Sequence, residues 1–516
     1  MMVRRDFLKL ATLGAAAAGL LPRLGKSATA VFQSLENKVA AKPNLVFVLA
    51  DDLGFGDVHC LDPQYSKIPT PYADRLAREG MRFMAAHSTS AVCTPSRYGL
   101  LTGRYNWRSH LQGGVLRPYD PPLIAADRLT VAGLLKQQGY HTACIGKWHL
   151  GWQWPRQGKT AIFDQPIAEG PTTRGFDYYF GTDVPNYPPH TFLENDRVTV
   201  QPTATAASAD VKGLHVKPGG PMAPGWRFDQ ILPTMTSKAV EYIGQQAKTK
   251  QPFFLYFPLT TPHEPLAPSE QFKGKSGINV VGDLIMETDW ALGQVLEALD
   301  KHRLTENTLV FFSADNGHNN NTGIEPFIKA GHRVSGPFRG YKRDAWDGGH
   351  HEPLLARWPG VVKAGSWSTQ LVSLADFMAT CAELTDASVP ANAAEDSFSL
   401  LPLLRGTDRP IRPAMVCHAS SGHFAIQRGD WKLIVQSGRG SADTKTEPGQ
   451  LYNMAADIGE TKNRYAQHPE IVAELTALLK KYVEDGRSTP GPKQSNDVSV
   501  DWIKKRSNQK AEEPAA

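Results

Sequence analysis

The stretch Asn44-Leu-Val-Phe-Val-Leu-Ala50 runs directly into Asp51-Asp52-Leu53-Gly54, and only its first residue is polar. A strand with one wet face alternates apolar and polar residues, so a run without alternation is a strand covered on both faces. Two further runs have the same character. Phe253–Phe257 precedes Thr261-Pro262-His263, and Thr308–Phe312 precedes Asp315-Asn316. Between the runs lie helix-period patterns: Tyr72–Glu79 closed by Gly80, Leu129–Gln138 closed by Gly139, Leu232–Lys248 and Leu284–His302. Buried strands alternating with helices predict an α/β fold with a mixed, largely parallel central sheet flanked by helices. In such sheets functional groups gather past the carboxyl ends of the strands, where Asp51, Asp52, His263, Asp315 and Asn316 all fall.

A Pro- and Ala-containing stretch near residues 386–412 separates this part from a different pattern. Strand-like Phe424–Arg428, Trp431–Gln436 and Gln450–Tyr452 precede a helix over about Glu470–Tyr482, which predicts a smaller C-terminal α+β subdomain containing an antiparallel sheet. The expected organisation is a leader at 1–30, a catalytic domain at 31–395, the C-terminal subdomain at 396–495 and a loose polar tail at 496–516.

With 516 residues, 41% hydrophobic and 21% charged, the chain is long enough for a large core and too rich in apolar residues for disorder. Its net charge of +5 is concentrated at the start, where Arg4, Arg5, Lys9, Arg23 and Lys26 stand against Asp6. The remainder is nearly neutral, which argues against a nucleic-acid partner. Arg4-Arg5 before Phe7-Leu8-Lys9, the apolar run Leu10–Leu21 and the small residues Ala28-Thr29-Ala30 read as an export signal. The run is too short for a stable membrane anchor. The twin arginines resemble a bacterial Tat signal, which implies the Tat translocase as a partner and a periplasmic or secreted location.

The five cysteines show no Cys-x-x-Cys spacing, so neither a disulfide framework nor a zinc ribbon is indicated. Cys93 stands apart. Cys93-Thr94-Pro95-Ser96-Arg97 precedes the helical run Tyr98–Thr102, so Cys93 is expected at a helix N-terminus, where backbone N–H groups favour negative charge. Composition gives on the order of 0.02 chance matches to Cys-x-Pro-x-Arg, so the wider chain must decide its meaning. Cys-x-Pro-x-Arg with Leu101-Thr-Gly-Arg104 resembles the signature of type I, formylglycine-dependent sulfatases, which are arylsulfatase-like members of the alkaline phosphatase superfamily. Supporting matches follow in that family's order: Asp51-Asp52-Leu53-Gly54, Gly146-Lys147-Trp148-His149-Leu150-Gly151, Pro262-His263, Asp315-Asn316-Gly317, and Lys342 ahead of Asp347-Gly348-Gly349. Leu451-Tyr-Asn-Met454 extends the resemblance to about residue 490.

The resemblance implies an alkaline-phosphatase-like sheet and a sulfuric ester hydrolase. It also implies that a formylglycine-generating enzyme converts Cys93 to formylglycine (3-oxoalanine), whose gem-diol attacks sulfur and passes through a covalent sulfate ester. One diol hydroxyl attacks and the other, deprotonated, expels sulfate, a release that a thiolate lacks. Asp51, Asp52, Asp315 and Asn316, with the modified Cys93, are implied ligands of one Ca²⁺; such oxygen donors suit a hard cation. By the same resemblance Lys147 and Lys342 bind sulfate oxygens and His263 protonates the leaving oxygen. Arg97 holds the formylglycine, and His149 orients or deprotonates the diol.

One departure from the pattern is Asp347-Gly-Gly-His350-His351-Glu352-Pro353, where relatives carry Glu-Gly-Gly and an Arg-Val-Pro-like stretch. Adjacent histidines point apart on most backbones, so this is expected to be a loop variation touching substrate through His350 and not a metal cluster. The loop Asp183–His190, with Asn186, Tyr187 and His190, is the other candidate sugar subsite. The expected substrate is a sulfated carbohydrate cleaved in exo fashion, with a lean to galactose- or N-acetylgalactosamine-6-sulfate. The alternatives are a phosphonate or phosphodiester hydrolase of the same superfamily and a sulfated-glycan binding protein without turnover.

Overall fold

A computed structural model describes residues 42–435 and 448–503. The expected leader and residues 504–516 lie outside the described residues, as does the expected strand end at Gln436. The central sheet has ten strands: β1 (Asn44–Asp51), β2 (Met81–Phe83), β3 (His141–Lys147), β4 (Tyr178–Thr182), β5 (Leu193–Glu194), β6 (Arg197–Val198), β7 (Phe253–Pro262), β8 (Thr308–Ala314), β9 (Leu354–Arg357) and β10 (Ser366–Ser368). Their spatial order is β10-β2-β9-β8-β1-β7-β3-β4-β5-β6. The core strands β8, β1, β7, β3 and β4 are mutually parallel, while β9 and β5 join them antiparallel on either side. The mixed, largely parallel sheet expected from the three apolar runs is therefore present.

Both faces of β1 are covered. Val46, Val48 and Ala50 enter one core, and Leu45, Phe47 and Leu49 enter the other. Helices α1 (Pro71–Glu79), α2 (Cys93–Thr102), α3 (Val131–Gln137), α4 (Ile231–Gln246), α5 (Val280–Lys301) and α6 (Asp376–Thr385) supply the covers. α1, α4 and α5 pack on the first face, and α2, α3 and α6 on the second. Each fully buried Leu, Val or Phe contributes about 1.5–3 kcal/mol, so this double layer is the main source of stability.

Helix starts follow from their caps. α5 begins a turn before the expected Leu284, because the Asn279 side chain accepts from Gly282 N–H. α1 is capped from outside its own sequence: Asp289 on α5 accepts from the backbone N–H groups of Tyr72 and Ala73 at 3.0 and 2.8 Å.

Four antiparallel strands, β11 (Met415–His418), β12 (Phe424–Arg428), β13 (Trp431–Ile434) and β14 (Gln450–Asn453), form a second sheet in that order. One face packs on α7 (Pro469–Glu484) through Leu475, Leu479 and Tyr482. The other packs Met415, Cys417 and Ala425 against Ala345 and Trp346. The expected loose tail begins later than residue 496, since Asn496 Oδ1 accepts from Arg108 and Asp497 accepts from Arg104 at 2.9 Å. All five cysteines are free thiols. Among the described residues no helix is long and apolar enough to cross a membrane.

Candidate functional site

Parallel strands bring their carboxyl ends to one edge, and three neighbours deliver the site. β1 ends at Asp51 and leads into Asp52, β8 leads into Asp315-Asn316, and β7 ends before His263. β3, paired with β7, adds Lys147 and leads to His149. α2 points its first residue, Cys93, at the same edge. The Cys93 Sγ lies 3.6 Å from Asp51 Oδ1 and 4.0 Å from Asp52 Oδ1. Ligand atoms of Asp51, Asp52, Cys93 and His263 all lie within 4.8 Å of one another.

Each carboxylate has a cation. Lys147 Nζ donates to Asp51 Oδ2 at 2.6 Å, and Lys342 Nζ contacts both Asp52 oxygens at 2.6 and 2.7 Å. Arg97 donates twice to Asp315 Oδ2, at 2.7 and 2.9 Å, and once to Lys147 O. Burial works to raise the Asp51 and Asp52 carboxyls, but Lys147 acting on the first and Lys342 on the second hold both below the usual range. Asp315 goes the other way. Burial, reinforced by the Asp51 charge, pushes it up to about 6.

The donor set has the chemistry of a hard-cation site. Three carboxylates and one carboxamide offer only oxygen, which suits a hard divalent ion such as Ca²⁺. Asn316 Nδ2 donates to Asp52 Oδ1 at 2.8 Å, but its Oδ1 is buried with no hydrogen-bond partner. Buried carbonyl oxygens rarely go unsatisfied, so this atom fits a ligand role.

The two histidines are in different states. His149 has a left-handed backbone (φ 54°), and its N–H donates to Asp183 Oδ1 at 3.2 Å. Its Nε2 lies 3.1 Å from Leu116 O; a carbonyl only accepts, so Nε2 carries the proton. Nδ1 is buried and unpartnered. Burial, then the Lys147 charge, holds the ring well below the ordinary imidazole range, so it is neutral with a bare nitrogen. His263 donates from Nδ1 to Glu264 O at 2.8 Å, and its Nε2 stands 4.0 Å from Asp52 Oδ2.

Cys93 is itself unsuited to attack. Burial pushes its thiol up despite Lys147 and Lys342 nearby, and a thiol kept protonated is inert.

All ten residues read from the sequence as catalytic or ligating thus converge on one edge. Of the four substrate candidates, Tyr187 sets its ring edge-on to His149 at 5.9 Å, and Asn186 Oδ1 is buried without a partner. His190 is 1% exposed and sits edge-on to Phe228 at 5.2 Å, so it supports the loop from within. His350 is also misassigned as a substrate contact. It is fully buried, 3.1 Å from Ala345 O and 3.1 Å from His87 Nδ1, and has no open face.

Asp183 and Glu264 are site residues that motif reading passed over, although both adjoin quoted motifs. Burial pushes Asp183 up to about 6. The Glu264 carboxylate lies 3.2 Å from His263 Nδ1 and also receives the Asn319 amide. Asp57 is a third: it joins His318 at 2.7 Å and His332 at 2.8 Å, which hold its carboxyl down to about 2 against the upward pull of burial. Its histidine partners are 261 and 275 residues away, which no local pattern reveals.

Comparison with known proteins gives two family matches. The Sulfatase family matches residues 43–387, and "N-sulphoglucosamine sulphohydrolase, C-terminal" matches residues 339–488. A Bacteroides thetaiotaomicron N-acetylgalactosamine-6-O-sulfatase is 36% identical over 85% of this chain and 92% of its own length. Human arylsulfatase A is 32% identical over 88% of this chain and 91% of its own. A solved structure from work on glycosaminoglycan metabolism in Bacteroides thetaiotaomicron superposes with a TM-score of 0.76 at 34% identity, covering 86% of this chain and 99% of that one.

Proposed function

Given that the chain belongs to the sulfatase family of the alkaline phosphatase superfamily and is a hydrolase of sulfuric esters, we propose that it removes a 6-sulfate from a terminal galactose or N-acetylgalactosamine of a sulfated glycan. The similarity to an N-acetylgalactosamine-6-O-sulfatase over nearly the whole of both chains supports that substrate class. The observation that carries the mechanism is the burial of Cys93 among Asp51, Asp52 and His263, with Lys147 and Lys342 on the two carboxylates. That arrangement supports a nucleophile at position 93, with Lys147, Lys342 and Arg97 offsetting the three carboxylates around it.

In this reading Cys93 is converted to formylglycine by a formylglycine-generating enzyme. The modified residue supplies a gem-diol, one hydroxyl of which attacks sulfur while the other later expels sulfate. Asp51, Asp52, Asp315 and Asn316 hold Ca²⁺, which when bound polarises a sulfate oxygen and lowers the pKa of the diol. Lys147 and Lys342 bind the remaining sulfate oxygens. The bare Nδ1 of His149 accepts a proton from the diol. His263 gives its Nε2 proton to the departing oxygen, with Nδ1 anchored on Glu264 O so that the ring cannot turn away. Arg97 binds Asp315 and Asp51 and so limits repulsion within the ligand set. Tyr187 and Asn186 line the sugar side.

Export through the Tat translocase to the periplasm or beyond fits the twin-arginine leader, and it requires modification before export. A phosphonate or phosphodiester hydrolase on the same scaffold is distinguished by the product it releases, because phosphodiesters and phosphonate monoesters carry the same single negative charge as a sulfate ester.

The test combines the mass of the Cys93 peptide from a host that makes the modification with sulfate release from a panel of sulfated monosaccharides. Formylglycine lowers the cysteine mass by about 18 Da. Active protein with an unmodified thiol would overturn the mechanism. Turnover of phosphonates without turnover of any sulfate ester in the panel would overturn the substrate class.

A further inference from the structure

His87, Asp347 and His351 form a second cluster outside the site described above. All three are buried, and ligand atoms of the three lie within 4.8 Å of one another. They border a cleft of about 1160 Å³ whose walls also include Phe338, Arg333 and Trp431, and to which none of the catalytic residues contributes.

Hydrogen bonds determine which ring nitrogens are bare. His351 Nε2 lies 2.9 Å from Met84 O, so it carries a proton there and turns Nδ1 toward Asp347 Oδ2 at 3.1 Å. His350 Nε2 lies 3.1 Å from Ala345 O and is likewise protonated, which leaves its Nδ1 bare. His87 Nδ1, 3.1 Å from that bare nitrogen, must then be the donor, so the free lone pair of His87 is on Nε2. Lys432, 3.3 Å from His350 Nε2, directs its ammonium group to Asp347 Oδ1 at 2.5 Å and Glu460 Oε1 at 2.8 Å.

Asp347 Oδ2 and His351 Nδ1 face each other at 3.1 Å, a spacing that two ligands of one ion can share. Neighbouring ligands of a tetrahedral zinc-class ion, bound at about 2.0–2.1 Å, stand roughly 3.3 Å apart, close to the 3.1 Å between Asp347 Oδ2 and His351 Nδ1. The outer contacts are those that orient metal ligands: Met84 O on His351, His350 on His87 and Lys432 on Asp347.

We propose that His87, Asp347 and His351 bind one divalent transition-metal ion of the zinc class, with a fourth position open to the cleft. Two imidazoles and a carboxylate favour such an ion over Ca²⁺, whereas the oxygen-only site beside Cys93 has the opposite preference. The ion ties the loop that carries Lys342 to the strand Ala86–His87, which leads to Cys93. It thereby fixes two catalytic segments relative to each other.

The test uses full-length Cys93→Ser protein, which removes the only sulfur ligand from the other cluster. After chelation and supply of excess Ca²⁺ it is titrated with Co²⁺, a visible probe of four-coordinate sites, and then with Zn²⁺, with bound metal measured after gel filtration. The expected result is one equivalent of Co²⁺ with strong visible bands, displaced by Zn²⁺. His351→Gln and His87→Gln, each introduced into that chain, should reduce binding to none with an unchanged circular dichroism spectrum. Absence of Co²⁺ binding to the Cys93→Ser chain overturns the proposal. Binding that survives both histidine changes but is lost in Asp51→Asn also overturns it. If a histidine variant does not fold, the titration of the Cys93→Ser chain decides alone.

Discussion

Lys342 Nζ sits 2.6 Å from Asp52 Oδ1 across 290 residues of chain, with both side chains almost sealed from water. The pair joins the loop between β8 and β9 to the end of β1, so a single contact couples the proposed sulfate-binding lysine to a proposed metal ligand. Lys342→Ala leaves a buried carboxylate uncompensated and should cost about 3–5 kcal/mol of stability. It should also lower kcat/KM roughly 100- to 1000-fold. Urea unfolding and sulfate release measure the two effects. Added Ca²⁺ should recover part of the stability and little of the activity, whereas wild-type stability without Ca²⁺ would contradict the coupling.

His263 is expected to matter in proportion to the basicity of the leaving oxygen. His263→Gln should cut turnover of a sugar sulfate far more than turnover of a nitrophenyl sulfate, whose leaving group needs no proton. Equal losses on both substrates would remove His263 from the acid role.

Asn316 Oδ1 lacks a protein partner, and its proposed partner is the cation. Chelation should lower both Tm and activity, and Ca²⁺ should restore them. Asn316→Ala should require roughly tenfold more Ca²⁺ for half-maximal activity. An unchanged Ca²⁺ requirement would show that this oxygen is not a ligand.

Asp289 supplies a pH-dependent term remote from catalysis. Burial raises its carboxyl from 3.8 to about 7, even though the Tyr72 and Ala73 N–H groups favour the charged form. Because the folded-state value is the higher one, this group's contribution is complete below the unfolded value and is lost as pH rises through about 7. The loss is on the order of 4 kcal/mol. Asp289→Asn should flatten the dependence of Tm on pH over that interval. Parallel pH profiles for the two proteins would mean that Asp289 titrates as it does in the unfolded chain.

The parts of the fold visible in the sequence were those buried on both faces. β1, β7 and β8 must be apolar throughout, and that requirement is local enough to read. β2, β9 and β10 were not legible, because strands of three or four residues take their identity from the partners they meet. Most of the proposed catalytic set was readable because its members adjoin the end of a buried strand or lie in the first turns of α2, whereas Lys342, in the loop between β8 and β9, was reached only through the family resemblance. Asp57 and Asp183 were not, since their partners lie 261, 275 and 34 residues away, and Glu264, although next to its partner His263, belongs to no quoted motif. The surroundings of His350 and His351 were hidden for a similar reason. Adjacent side chains do leave a backbone in different directions, but here both rings close around His87, with centroids 5.2 and 4.3 Å from it.

On the proposed mechanism, the enclosure of Cys93 sets a clock on its maturation. Its side chain is 2% exposed, and the Arg97–Asp315 pair that closes the helix onto β8 joins residues 218 apart. At about 5–20 residues per second, the ribosome takes roughly 10 to 40 s to make that intervening chain. Any catalyst that rewrites the Cys93 side chain has that interval, and the folding time that follows, in which to find it. Slower translation lengthens the opportunity and faster folding shortens it, so the fraction of competent molecules is decided as a race during synthesis.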